Sequence, residues 1–120
     1  MIVVDSSAVL AYLQGEPGAD LVRESLAGGA VMSAANWSEV AQKLRRADAW
    51  EVARALLLSH PLQLATVTVD DAEAAAAMWM PGTTLSLADR LCLALAGRLQ
   101  LPVLSADREW FGRDGVIPVR

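Results

Sequence analysis

The sequence predicts an α/β protein: a three-layer α/β/α sandwich around a small, mainly parallel sheet. Three observations predict it. Short apolar, β-branched runs alternate with longer stretches of helical periodicity along the whole chain. The first run, Ile2 to Val4, is continuously apolar, as a strand buried on both faces is. Glycine and proline punctuate the junctions, and strands alternating with helices place a parallel sheet between helical layers.

The elements follow in order. Ile2, Val3 and Val4 form a buried strand. The pattern predicts a short helix over 8–13, stopped by Gly15 and Pro17. A second helix spans 19–27, with Leu21, Val22, Ser25 and Leu26 on one face and Gly28-Gly29 as its stop. A strand follows at 31–33. Val40, Ala41 and Leu44 give a helix over 37–47 its core-facing stripe. Another helix covers 50–58 and ends before His60-Pro61. A third strand is expected at 62–67, then an alanine-rich helix over 69–80 broken by Pro81-Gly82. The strongest helical pattern is 86–99. A fourth strand falls at 101–104, and a fifth at 116–119, at an edge where Pro118 is tolerated.

At 120 residues the chain is expected to be one domain, 1–120. Hydrophobic residues make up 54% and charged residues 20%, which excludes a disordered chain. Mean hydropathy is +0.34. That leaves apolar surface for a partner or a second copy to cover. Net charge is -4, so there is no global basic footprint. Direct DNA binding by this chain alone is not expected, and any nucleic-acid contact needs a local basic patch. The single cysteine, Cys92, excludes an intrachain disulfide and a cysteine-rich zinc site. No apolar run approaches the ~20 residues of a membrane span. The start is not patterned as a secretory leader, so a cytoplasmic location is the expectation.

Four acids fall near one edge of the predicted sheet. Asp5 ends the first strand, and Asp107 lies just past the fourth. Glu39 and Asp89 sit in the early turns of helices that follow the second strand and open at Ser86. Each has a structural reading as well. Ser86-x-x-Asp89 fits a capping box, Asn36-x-x-Glu39 has the same step, and Asp107 fits a turn. Asp5 is harder to explain structurally, because a charge ending a buried strand is costly unless paired. Two like charges at ~4 Å repel by about 4 kcal/mol at an effective dielectric of about 20. Such a group must take up protons, lean on basic side chains or bind a cation. Oxygen donors without nearby His or Cys select Mg²⁺ or Mn²⁺ over Zn²⁺. His60 reads as structural or surface, and Cys92 as a small buried hydrophobe.

These segments resemble the motifs of PIN-domain nucleases. Val3-Val4-Asp5-Ser6-Ser7-Ala8 is similar to the opening motif. Ser33 to Val40 around Glu39, Leu85 to Asp89, and Leu101 to Arg108 around Asp107 resemble the second, third and fourth. The match runs in order along essentially the whole chain, and its style is that of the VapC toxins of VapBC toxin–antitoxin pairs. The resemblance implies an Mg²⁺- or Mn²⁺-dependent endoribonuclease, with RNA as substrate, a VapB-type antitoxin as partner, and a homodimer. It implies Asp5, Glu39, Asp89 and Asp107 as the acidic quartet, with metal on Asp5, Asp89 and Asp107. Ser6, Asn36 and Ser105 would support them. The fourth acid varies most in position within the family, which makes Asp114 a rival to Asp107.

RNA backbone also needs cations at the rim. Lys43, Arg45 and Arg46 cluster at the end of the helix carrying Glu39, and Arg90 and Arg108 each follow a site acid. The cluster equally suits a helix C-terminus, and the two arginines equally suit ion pairs with neighbouring acids. Trp37, Trp50, Trp79 and Trp110 read as core or interface residues rather than a stacking platform. Other classes fit less well. The sole lysine, Lys43, lies mid-helix, unlike a receiver domain's, and Ser7 stands where a HAD-type phosphatase has a second Asp. A PIN fold kept only for binding, or a PIN nuclease outside a toxin–antitoxin pair, is the remaining alternative.

Overall fold

Side chains alternate faces along a strand, and in this chain the alternation divides the core in two. The computed structural model describes residues 1–120. Its five strands are β1 (Ile2–Val4), β2 (Ala30–Ser33), β3 (Leu62–Ala65), β4 (Val103–Ser105) and β5 (Val116–Pro118). They form one sheet, order β3-β2-β1-β4-β5, with every neighbouring pair parallel. Val4, Ala30, Met32 and Leu104 face one cluster, and Val3, Val31 and Val103 face the other.

The first cluster is closed by α1 (Ser6–Leu13), α2 (Ala19–Ala27), α3 (Ala34–Arg46) and α4 (Trp50–Leu58). Val9, Val22, Leu26, Val40 and Leu57 are its fully buried anchors. The second is closed by α6 (Leu87–Leu99), with α5 (Val69–Ala77) packed on α6. The chain winds outward from β1 to β3, then crosses back to place β4 on the other side of β1. With right-handed crossovers, that reversal puts α5 and α6 on the opposite face from α1–α4. The three layers match the expected fold class.

Several boundaries differ from expectation, each for a local reason. α1 begins at Ser6, two residues early, because Asp5 itself caps it by accepting the Ala8 N–H. α3 begins at Ala34, because Ser33 caps it through the Ala35 N–H. β3 stops at Ala65 and α5 at Ala77, before the Met78-Trp79-Met80 segment. Trp79 and Met80 are 58% and 63% exposed, so part of the apolar surplus lies on the surface. Trp110 is fully buried in a 3-10 turn at Arg108–Trp110 and completes the second cluster. Trp37 and Trp50 meet edge to face at 5.0 Å within the α3–α4 packing. His60 accepts or donates at 3.0 Å to the Tyr12 hydroxyl. No helix is long and apolar enough to cross a membrane.

Candidate acidic active site

The sheet reverses its winding between β1 and β4, and in open parallel sheets such a switch point opens a crevice at the strand carboxyl ends. β1 and β4 pair with Val4 opposite Leu104, so the residues that leave them, Asp5 and Ser105, emerge side by side. Asp5 is 3% exposed. Its carboxylate accepts the Ala8 N–H at 2.9 Å, the Ser7 hydroxyl at 2.8 Å and the Ser105 hydroxyl at 2.7 Å. Burial pushes its pKa up to about 6. The three hydrogen bonds oppose that shift, and the Asp89 charge adds to it.

Ser7 is the residue the motifs did not single out. Its oxygen also accepts the Ala106 N–H at 2.9 Å and lies 3.3 Å from the Ser105 hydroxyl. One hydroxyl therefore ties the acid of β1 to the chain leaving β4. The available signal was a serine two residues after a strand-ending acid, the spacing of a local Asx or Ser turn.

Asp107 is reached through the same group. Its N–H donates to the Ser105 hydroxyl at 3.1 Å, and its carboxylate caps the 3-10 turn through the Glu109 N–H at 3.0 Å. Asp114 lies elsewhere: it lines a separate cavity with Gln100, Leu101 and Val103, at the amino end of β4. The fold places Asp107, not Asp114, beside Asp5.

Asp89 stands in the first turn of α6 and forms a full capping box with Ser86, at 2.9 and 3.1 Å. Burial raises its pKa, the Ser86 bonds oppose the rise, and the charges of Glu39 and Asp107 add to it. The capping and cluster readings thus hold together. Glu39 is exposed on α3 and accepts the Ser6 hydroxyl at 2.6 Å and the Asn36 amide at 3.0 Å. Asn36 is not a cap, since Ser33 fills that role; it sits inside α3, 1% exposed, with its Oδ1 lacking any partner. Beneath the group lies Cys92, fully buried. Burial first, then Asp5, Asp89 and Glu39, push its thiol well above the ordinary range, so it forms a neutral floor.

The four carboxylates form a hard-oxygen donor set of the kind a divalent cation takes. No three acid, histidine or cysteine side chains converge tightly enough in this conformation to close a metal site. The chemistry of the set nevertheless fits a hard ion. All four donors are carboxylates, and one oxygen each of Glu39, Asp89 and Asp107 accepts nothing from the protein. The charge is also unbalanced: none of the four carboxylates takes part in an ion pair.

The basic residues divide. Arg90 does not face the site: its guanidinium donates to the Ala75 carbonyl at 3.0 Å, with Nε buried. It ties α6 to α5 and makes no ion pair, which corrects the reading of Arg90 as paired with a neighbouring acid. The cause is helix geometry, since successive side chains on a helix point about 100° apart. Arg108 is exposed and makes no ion pair either, which corrects its expected pairing. Lys43 and Arg46 line a groove with Ser6, Leu10, Glu39 and Gln42, and Arg45 lies on the adjoining face of α3.

Residues 2–114 match the PIN domain family. Ribonuclease VapC42 of Mycobacterium tuberculosis is 35% identical over 80 residues. That match spans 62% of this chain and 61% of the relative's length. Among solved structures, a toxin-antitoxin complex from Klebsiella pneumoniae superposes with a TM-score of 0.83 at 20% identity. It covers all of this chain and 98% of that one. DNA-bound VapBC from Salmonella typhimurium superposes at 0.73 and 16% identity, over the full length of both chains. Sheet order, the acid at the switch point and a family match over 113 residues, from 2 to 114, agree: the chain belongs to the PIN domain family.

Proposed function

We propose that this chain is a metal-dependent endoribonuclease and the toxin of a VapBC-type toxin–antitoxin pair. The observation that carries the reading is the uncompensated acidic group at the switch point, with Asp5 pushed up to about 6. A fold does not keep a buried carboxylate beside the like charge of Asp89 for stability. The curated relative is named a ribonuclease, and the solved neighbours are toxin–antitoxin complexes, which supports the same reading. A VapB-type antitoxin, which would carry any DNA contact, and a homodimer belong to it as partners.

Asp5, Asp89 and Asp107 would hold Mg²⁺ or Mn²⁺. When bound, such an ion supplies neutralisation of the phosphate charge and activation of water. The chain's own work is positioning. Ser7, Ser105 and the Ala8 N–H fix the Asp5 carboxylate in one orientation. Ser6 and Asn36 hold one oxygen of Glu39 and leave its second oxygen free to take a proton or a water. The Ser86 box holds Asp89 in place while leaving one oxygen open.

The test is cleavage of a structured RNA by partner-free protein with Mg²⁺, Mn²⁺ or excess chelator. An Asp5→Asn/Asp89→Asn double variant runs beside it. Metal-dependent cuts that vanish in the variant are expected. No cuts from folded protein on several RNAs would favour a binding-only PIN fold, and cuts persisting in the variant would place the site elsewhere.

A further inference from the structure

Glu39 and Lys43 stand four residues apart on α3, in the order that favours a helical ion pair. The pair does not form. Glu39 is drawn to Ser6 and Asn36 instead, and Lys43 has no anionic partner. Of the ten basic residues, Arg23, Arg98 and Arg120 are in ion pairs and Arg90 is spent on a carbonyl. Three of the six left free, Lys43, Arg45 and Arg46, lie within four residues at the end of α3.

Their surroundings separate them. Lys43 and Arg46 border an open groove of about 390 Å³ between α1 and α3, and this groove also contains Ser6 and Glu39 of the acidic site. It continues across Gln42 and Arg46 into a second groove with Ser38 and Arg45. Arg45, however, also borders Asp48 and Glu51, which dilute its field. A helix dipole accounts for cations in a last turn, but not for a groove that runs from them to a catalytic acid.

We propose that the groove between α1 and α3 carries the RNA backbone on one side of the scissile phosphate, with Lys43 and Arg46 as its phosphate contacts. The inference rests on the nuclease reading above and gives that site a direction. Lys43 lies four residues past Glu39 and Arg46 seven, about 6 and 10.5 Å along the helix axis. At a rise of ~3.4 Å per stacked nucleotide, the longer span is about three nucleotides. Gln42, between them, offers an amide to a 2′-hydroxyl or base edge.

The test is binding of a labelled single-stranded RNA, in chelator to prevent cutting, across a salt titration. A Lys43→Gln/Arg46→Gln variant is compared with Arg54→Gln/Arg113→Gln, which changes net charge equally at exposed sites away from the groove. The first pair is expected to flatten the slope of log affinity against log salt by about 1.4, some 0.7 per lost phosphate contact, and the second to leave it unchanged. Lys43→Arg should keep the slope. Equal flattening in both double variants would overturn the proposal in favour of net charge. An unchanged slope in the groove variant, with metal-dependent cutting by the wild type intact, would overturn it and spare the nuclease reading. An unchanged slope with lost binding to polyglutamate would give the groove to an acidic peptide instead. A wild type that neither binds nor cuts RNA would end both.

Discussion

Replacing Asp5 by Asn removes a buried charge while keeping its shape, and the effect on stability depends on pH. The Asp5 pKa is about 6 in the folded protein against 3.8 for an ordinary aspartate. Two pH units correspond to about 3 kcal/mol. Because the folded value is the higher one, the folded state holds its proton longer. Below pH ~4 the group is neutral in both states and costs nothing. As pH rises from about 4 to about 6 the unfolded chain ionises first, and the folded protein loses stability until the full amount is gone near pH 7. The amide can still accept the Ala8 N–H and engage both serine hydroxyls. In chelator, Asp5→Asn is therefore expected to be about 2–3 kcal/mol more stable than wild type at pH 7, and within about 1 kcal/mol of it at pH 4. Urea unfolding followed by tryptophan fluorescence measures this, since Trp50 and Trp110 are buried. The difference between the two proteins cancels the titrating groups that do not interact with Asp5. A variant less stable than wild type at pH 7, or a gap that does not change with pH, would refute the reasoning. Under the metal reading proposed above, added Mg²⁺ should narrow the gap by stabilising the wild type more than the variant.

Three further outcomes are expected. Asp71→Ala removes the Arg98 ion pair at 2.8 Å and the Thr68 capping box together, and should lower the midpoint of chemical denaturation. The Arg98 hydrogen bond holds the Asp71 carboxyl below its ordinary range, so this stabilisation is present above the usual aspartate pKa and is lost as pH falls through the lower folded value. Ser7→Ala leaves the Ala106 N–H without its acceptor and Asp5 without a donor. It should cost about 1–3 kcal/mol and move the Asp5 midpoint above about 6, as read by NMR titration of the carboxyl. Gly18 has φ +93°, and an added Cβ would collide with the Val119 carbonyl oxygen, whereas Gly15 (φ +64°) has open space. Thermal melting should show Gly18→Ala costing more than Gly15→Ala, whose penalty is the ~1 kcal/mol of left-handed backbone alone.

Much of this was legible because chemistry and periodicity coincide. Apolar runs marked the central strands, β3 was weaker because Gln63 interrupts it, and Ser86-x-x-Asp89 marked the first turn of α6. The acids could be assigned to one sheet edge because each follows a strand or opens a helix. What escaped depended on direction rather than identity. Arg90 follows Asp89 in sequence but leaves α6 toward α5, and nothing local says which neighbour will claim it. Ser7 looked like part of a motif, while its partners Ser105 and Ala106 lie at the far end of the chain. The early start of α1 was missed because Asp5 was read for its charge alone. Its carboxylate does a second task as the helix cap.

The bond between Asp5 and Ser105 spans 100 residues, and the one between Ser7 and Ala106 spans 99. The four acids come from four separate stretches of chain, and the crevice between β1 and β4 does not exist until β4 docks. The Asp5 carboxylate therefore has its Ser105 partner only once the chain between them is in place. A fragment that ends short of Ser105 lacks the hydroxyl that Asp5 and the Asp107 N–H share. Under the nuclease reading proposed above, such a fragment is expected to leave RNA uncut.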